Sequence, residues 1–449
     1  MALWRAVRSR WDGYWFAPAP AIDLDALRIV AVSVQLLWLC GVLWWAGSVP
    51  GHLTRLHALP EFFYEPIGIV GIYSALAGGR PPLAGVLSLY WISWIAGLLA
   101  LIGLYTRASL AVFAFASVFL VTYCNSFTDF HHPSTLLLLT LLILPAGAVG
   151  RTLSVDALRR RLHVNVSARS FTPWDPTGEL DASAGWPVRL VRVLFGMVYL
   201  SAALSKLDFR GGDLFRWANG STLQYYMVED GFGFGSPLAL WVSELPVEWV
   251  SLMSWGSLAF EATFLSTALW PWLARLYVPA GVAFHLGIYA TQRATFFQYI
   301  ALYACFLPAR RALLALRARL HAPRPVVLYD GECLLCIRSM TVLQSLDWLD
   351  RIDYLRLQEE RLPHLGSVDD ALRRRLRQEM HVVDADGSLH VGYAAFRRLM
   401  LHLPLCWPLL PLLYLPGARL LGSPAYRSVA STRRRFEACD GGACAAHSR

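Results

Sequence analysis

Two short stretches carry residue types able to do proton or redox chemistry. The first, residues 195–217, ends an apolar run on a lysine and follows it with a polar, glycine-containing turn. Lysine and arginine together number 40, and Lys206 is the only lysine among them. Arginine replaces lysine at a solvated site with little consequence. It does not replace an amine that must lose its proton, because guanidinium stays charged whereas a desolvated ammonium yields its proton. A sole lysine beside a membrane span therefore reads as a general base or, alternatively, as a snorkelling anchor at a helix end. Other polar groups in or beside apolar runs could share its cavity: Glu261 in SLAFEATFL, His285 in VAFHLGIYA and the pair His131-His132 in NSFTDFHHPST. A carboxylate inside a span needs a partner or a proton, so Glu261 reads as an ion-pair or functional group. His285 has a second reading as a structural histidine between helices, and His131-His132 as solvated interfacial residues. Asp208, Arg210 and Trp217 read as rim residues.

The second stretch is YDGECLLC, ending on Cys333 and Cys336. A β-branched run precedes it and a helix-periodic run follows, so the Cys-x-x-Cys opens a helix. A helix N-terminus favours the thiolate of the first cysteine, and the second resolves a mixed disulfide. The other reading is half of a structural zinc site, completed by Cys439 and Cys444. Those two cysteines lie in the tail and also read as a shuttle relaying electrons to or from Cys333 and Cys336, as a flexible disulfide, or as a disordered segment.

The elements that must position these groups are membrane helices. The chain is 56% hydrophobic and 16% charged, with a mean hydropathy of +0.44. That profile belongs to a polytopic membrane protein. Its 18 tryptophans fit interfacial belts, and its net charge of +9 arises from arginines that flank apolar runs and fill the tail. These read as topology signals and membrane-surface contacts, so no nucleic-acid partner is expected.

Residues 1–23 read as an interfacial segment. Residues 24–310 carry about eight spans, near 24–45, 83–105, 108–124, 134–149, 188–204, 247–269, 273–290 and 294–307. Residues 150–187 read as a polar, arginine-rich loop. Residues 311–324 form a basic linker, and 325–449 read as a small α/β domain with strands at PVVLYD and IDYLRLQ, a hairpin at HVVDADGSLHV and a helix at GYAAFRRLMLHL. Four prolines in 401–416 argue against a span there and for a buried, broken helix. Arginine bias places both termini in the cytoplasm and Lys206 outside.

The run from Tyr199 through Lys206 to Asp208, followed by Trp217 and Gly220, resembles the signature of the horizontally transferred transmembrane domain. That domain is the membrane part of vitamin K-dependent gamma-carboxylases and their bacterial relatives. The resemblance covers roughly residues 20–310 and extends to Leu27-Arg28-Ile29, Glu261 and the run from Phe284 to Phe297. It implies that Lys206 deprotonates a vitamin K-type or menaquinol-type quinol, that His132 or His131 assists, and that the quinol oxyanion then meets dioxygen. Tyr199, Trp217, Glu261 and His285 are the implied substrate-site residues. Two departures stand out. Ser205 occupies a position that in this family often holds a second lysine, and no large external domain is expected to hold a peptide. Chemistry on a quinone or another lipid-soluble substrate is left.

The segment from YDGECLLC to Ala430–Phe436 resembles the DCC family of thiol-disulfide oxidoreductase-like proteins, which implies a thioredoxin-like fold with Cys333 as nucleophile, Cys336 as resolver and a redox-active disulfide between them. No proline precedes the HVVD strand, where thioredoxins keep one. The expected whole is a mainly α transmembrane bundle of about eight spans with a C-terminal α/β thioredoxin-like domain in a bacterial inner membrane. Its expected activity is thiol-disulfide exchange, a vitamin K carboxylase/epoxidase-like reaction, or both. Its expected partners are the lipid membrane, a quinone-type molecule and a cytoplasmic thiol, with no metal. The alternative is a non-catalytic scaffold or proton-coupled transporter with a redox-sensing thiol domain.

Overall fold

The computed structural model describes all residues except 43–47, 128–131, 321–322, 360–373, 375, 434 and 437–449. His131, Cys439 and Cys444 fall outside the described residues. The chain divides into two compact units, one of residues 1–154 and 178–309, the other of residues 155–177 and 310–449.

The first unit is helical. Four of its described helices are long and apolar enough to cross a bilayer: Leu83–Ile102, Thr106–Asn125, Ala182–Ser205 and Pro271–Gln292. Counting each of two sharply bent helix pairs in the chain as one span raises the number to six. Other expected spans are shorter or broken. Thr135–Ala146 is a short apolar helix, and Val247–Thr263 has 17 residues. The first expected span, Ala21–Leu39, buries Asp25 and Arg28 among its apolar residues. Their ion pair, 3.2 Å long, is fully enclosed. Asp25 accepts hydrogen bonds from the amides of Gly150 and Thr152, at 2.6 and 2.8 Å. Arg28 donates to the carbonyls of Leu101 and Leu153, at 2.9 and 2.6 Å. The pair is affordable there because the surrounding backbone satisfies both charges; it ties a helix C-terminus and a turn to the first long helix. The N-terminal segment forms the helix Ala2–Trp15, with Trp4 and Trp11 exposed.

The second unit is built on a four-stranded sheet. Val326–Tyr329 lies between Asp353–Arg356, to which it is parallel, and His381–Val383, to which it is antiparallel. His381–Val383 then pairs antiparallel with Leu389–Val391. The expected strands, hairpin and Tyr393–Met400 helix are all present. Leu334–Leu346 buries Cys336, Ile337, Met340, Thr341 and Leu343, which is one face at helical spacing.

The stretch expected to be a polar loop at 150–187 contains the helix Val155–Ser167, and its residues pack in the thiol unit. Asn165 Nδ2 donates to Thr341 Oγ1 at 2.9 Å, with both groups buried. Phe171 joins the same core as Cys333 and Cys336. Arg310, the last residue of the expected membrane domain, and Arg317, in the expected basic linker, bind Thr177 and Asp175, so both belong here too. The proline-rich segment is broken as expected but is not buried. Leu405, Trp407, Leu409, Leu412, Tyr414 and Leu415 are exposed, because four prolines divide it into turns too short to present one packed face.

Candidate functional site

The thiol site starts at the end of the Val326–Tyr329 strand. Asp330 is buried and holds the loop in place. It accepts from the Glu332 amide at 3.1 Å, from Gln358 Nε2 at 2.7 Å and from Arg435 Nε at 2.8 Å. Cys333 then takes the N-cap position of Leu334–Leu346 in extended backbone, φ −114° and ψ 118°. Cys333 and Cys336 are free thiols. The Cys336 thiol donates a hydrogen bond to the Cys333 sulfur and is the main reason the Cys333 pKa falls from 9.0 to about 6; burial opposes this. The amides of Cys336 and Leu335 and the Arg433 guanidinium act in the same direction as that hydrogen bond, the amides without closing a cap bond. The same hydrogen bond, together with burial, pushes Cys336 well up. The shared hydrogen bond thus favours the thiolate on Cys333 and the protonated thiol on Cys336.

Cys333 is 0% exposed. Its cover comes from the far end of the chain, where Arg435 forms an antiparallel bridge with Cys333 and the Phe436 amide donates to the Glu332 carbonyl at 3.1 Å. Phe436 packs on the core that holds both cysteines.

The second site lies in the helical unit. Ala182–Ser205 starts at Asp181, whose carboxylate accepts from the Ser183 amide at 2.7 Å, and ends with Lys206 as its C-cap. Lys206 Nζ donates to Glu261 Oε2 at 2.5 Å and to the Ala202 carbonyl at 3.3 Å. It also sits 5.2 Å from the centre of the Trp217 ring. Trp217 is delivered by the Arg216–Asn219 turn, which presses onto the Val247–Thr263 helix at Gly220. There φ is +94°, and a Cβ would stand 2.7 Å from the Ser251 nitrogen. Glycine is required at that contact. Lys206, Glu261 and Trp217 border a cavity of about 820 Å³, with Tyr226, Trp241, Met253, Phe260 and Phe284 among its walls.

Tyr199 and His285 belong to a different layer. Tyr199 Oη is 2.8 Å from His285 Nε2 and 2.5 Å from Tyr303 Oη. His285 stacks on Phe296, with ring centres 5.0 Å apart. Neither Tyr199 nor His285 lines the cavity; Phe260, which does, packs 5.3 Å from the Tyr199 ring. His285 Nδ1 has no hydrogen-bond partner among the described residues. The structure thus joins Lys206, Glu261 and Trp217 and sets Tyr199 and His285 behind them. His132 opens the short turn His132–Ser134, and its side chain is not described.

Tyr303 was not singled out in the sequence. Its hydroxyl needs Gly281, where a Cβ would lie 1.9 Å away. Arg433 and Arg435 lie in the Ala430–Phe436 run that carries the family resemblance, but the sequence assigns neither a role, since arginines in an arginine-rich tail carry no signal of their own.

A family model for DCC1-like thiol-disulfide oxidoreductases matches residues 327–438. This C-terminal segment is similar to that family. The match contains both cysteines, the sheet and the covering residues Arg435 and Phe436. The helical unit has no family match. No curated protein and no solved structure matches the chain.

Proposed function

We propose that this chain is an integral membrane redox enzyme with a dithiol station at Cys333 and Cys336 and a lysine station at Lys206. The observation that carries the reading is the Cys-x-x-Cys at a helix N-terminus, with Cys333 favoured as thiolate and Cys336 as thiol. The Cys333 thiolate attacks a partner disulfide, forms a mixed disulfide and releases one partner thiolate. Cys336 gives up its proton and attacks Cys333 Sγ, releasing the second partner thiolate. The pair ends as a disulfide and the partner gains two electrons. The strand order, one parallel pair followed by two antiparallel pairs, supports a thioredoxin-like fold for this domain; the partner disulfide is proposed to be a cytoplasmic one.

The lysine station takes a lipid-soluble, quinol-type substrate in the aromatic-walled cavity. Glu261 Oε2 stands where it can take a proton from Lys206 Nζ. When the proton they share rests on Glu261, the amine is neutral and can accept the proton of a quinol hydroxyl. The quinol anion then reacts with dioxygen, one oxygen atom entering the ring as the epoxide and the other leaving as water with the two quinol protons. About eight spans, some of them short or bent, complete the membrane domain.

The test is quinol turnover by the full chain in detergent, with menaquinol or reduced vitamin K and oxygen, following quinol loss and epoxide formation. Wild type, Lys206→Arg and Cys333→Ser are compared. Turnover lost in Lys206→Arg and kept in Cys333→Ser supports the base role of Lys206. Loss in both couples the two stations. No turnover in any variant overturns the quinol reading.

A further inference from the structure

The thiol unit holds a second cavity, of about 610 Å³, beside the dithiol. Cys336 and Arg433 stand at its edge. Leu335, Met340, Leu343, Met380 and Phe396 give it apolar walls. The Ala418–Ala430 helix closes another side with Gly422, Ala425 and Tyr426. The size falls in the range of about 300–1,000 Å³ usual for a bound organic molecule.

A strongly basic pocket of about 740 Å³ adjoins it, bordered by Arg374, Arg377, Arg427, Arg433 and Arg435. Arg433, Glu379 and Ala430 line both spaces. Within the basic pocket Glu379 is the one acid among the described lining residues, and Arg435 is already paired with Asp330. An apolar chamber that opens onto an arginine cluster fits an amphiphile with an apolar chain and an anionic head. The same Ala418–Ala430 helix turns Leu420 and Leu421 outward, at 79% and 81% exposure. Exposed leucines on the wall of an apolar chamber suit contact with lipid. The unit is also joined covalently, at 154–155, 177–178 and 309–310, to a helical unit with membrane-length helices.

We propose that the cavity beside Cys336 holds one acyl chain of an anionic lipid drawn from the bilayer, with the lipid head on the arginine cluster. The chain then lies against the wall that carries Cys336, and occupancy couples access to the resolving thiol to the composition of the membrane. The site is independent of the lysine station.

The experiment uses the full chain in phosphatidylcholine nanodiscs. These contain a trace of phosphatidylglycerol with a diazirine on its acyl chain, or the same probe with a choline head. After irradiation, labelled peptides are mapped by mass spectrometry. The expected result is labelling of the peptides holding Met340 and Tyr426 by the glycerol probe, roughly tenfold above the choline probe, the scale set by arginine contacts to an anionic head. Ala425→Trp, which fills the chamber, and the double variant Arg374→Glu/Arg427→Glu each abolish that labelling. In both variants the circular dichroism and the thermal unfolding of the full chain stay as in wild type, which shows that the chain is folded. Equal labelling by both probes, labelling confined to the membrane helices, or labelling only by a diazirine fatty acid added from solution would each overturn the proposal.

Discussion

Lys206 Nζ and Glu261 Oε2 meet at 2.5 Å although 55 residues separate them in sequence. The only lysine of the chain is therefore held by a carboxylate from another helix, above an aromatic ring and at the edge of a cavity. A paired charge in an apolar surrounding depends on its partner, so the two residues are expected to behave as one unit. In thermal unfolding in detergent, Glu261→Ala alone destabilises more than the double change Lys206→Met/Glu261→Ala, because the single variant leaves an ammonium without its counter-charge. The coupling expected from the double-mutant cycle is about 1–3 kcal/mol. Additive effects would mean that the contact carries no energy.

Asp25 and Arg28 are a structural counterpart of that pair. Both are fully enclosed and neither borders the cavity. Asp25→Ala is expected to destabilise by about 3–5 kcal/mol, the usual effect of leaving a buried charge alone. It should lower the yield of folded protein and the unfolding temperature while leaving Cys333 alkylation unchanged. A stability within 1 kcal/mol of wild type, roughly the level of an exposed pair, would contradict the enclosure.

Much of this arrangement was legible in the sequence, for physical reasons that can be named. Lys206 stood out because arginine fills every other basic position. Glu261 stood out because a carboxylate inside an apolar run demands a partner. Cys333 and Cys336 stood out because the strand before them and the helix after them place a Cys-x-x-Cys at a helix N-terminus. The Val155–Ser167 helix was not legible as part of the thiol unit. Its polar, arginine-rich face looks like a solvated loop, and its anchors, Asn165 to Thr341 and Phe171 to the cysteine core, span more than 150 residues. The split between the Lys206 cavity and the Tyr199–His285 layer was also hidden, since hydropathy shows depth in the chain and not which helix face a side chain takes.

The thiol pair predicts a pH profile. With its pKa lowered to about 6, Cys333 should react with iodoacetamide along a curve with a midpoint near 6 and not near the ordinary 9.0. Arg433→Gln removes a charge that favours the thiolate and should move the midpoint up. The linkage to stability has a definite sign. A lowered folded pKa gives the reduced protein a stabilising contribution that is full above the unfolded thiol range and is lost as pH falls through about 6. Cys333→Ser should remove that part of the pH dependence. Peptide-resolved alkylation and unfolding at several pH values check both statements.

Arg435 and Phe436 predict a gate. Cys333 is fully covered, yet exchange requires an approaching sulfur, so the covering segment must lift. A chain ending at residue 433 is expected to expose Cys333 and raise its alkylation rate by roughly tenfold or more, which corresponds to a local opening of about 1.4 kcal/mol. An unchanged rate would show that access lies elsewhere.

The central claim is that Cys333 attacks and Cys336 resolves. The direct measurement treats the reduced full-length protein in detergent with an aromatic disulfide such as dithionitrobenzoate and maps the products by peptide mass. Wild type is predicted to form a Cys333–Cys336 disulfide, Cys336→Ser to stop at a stable mixed disulfide on Cys333, and Cys333→Ser to leave Cys336 largely unmodified. A mixed disulfide that accumulates on Cys336, or no Cys333–Cys336 bond in wild type, would contradict the account.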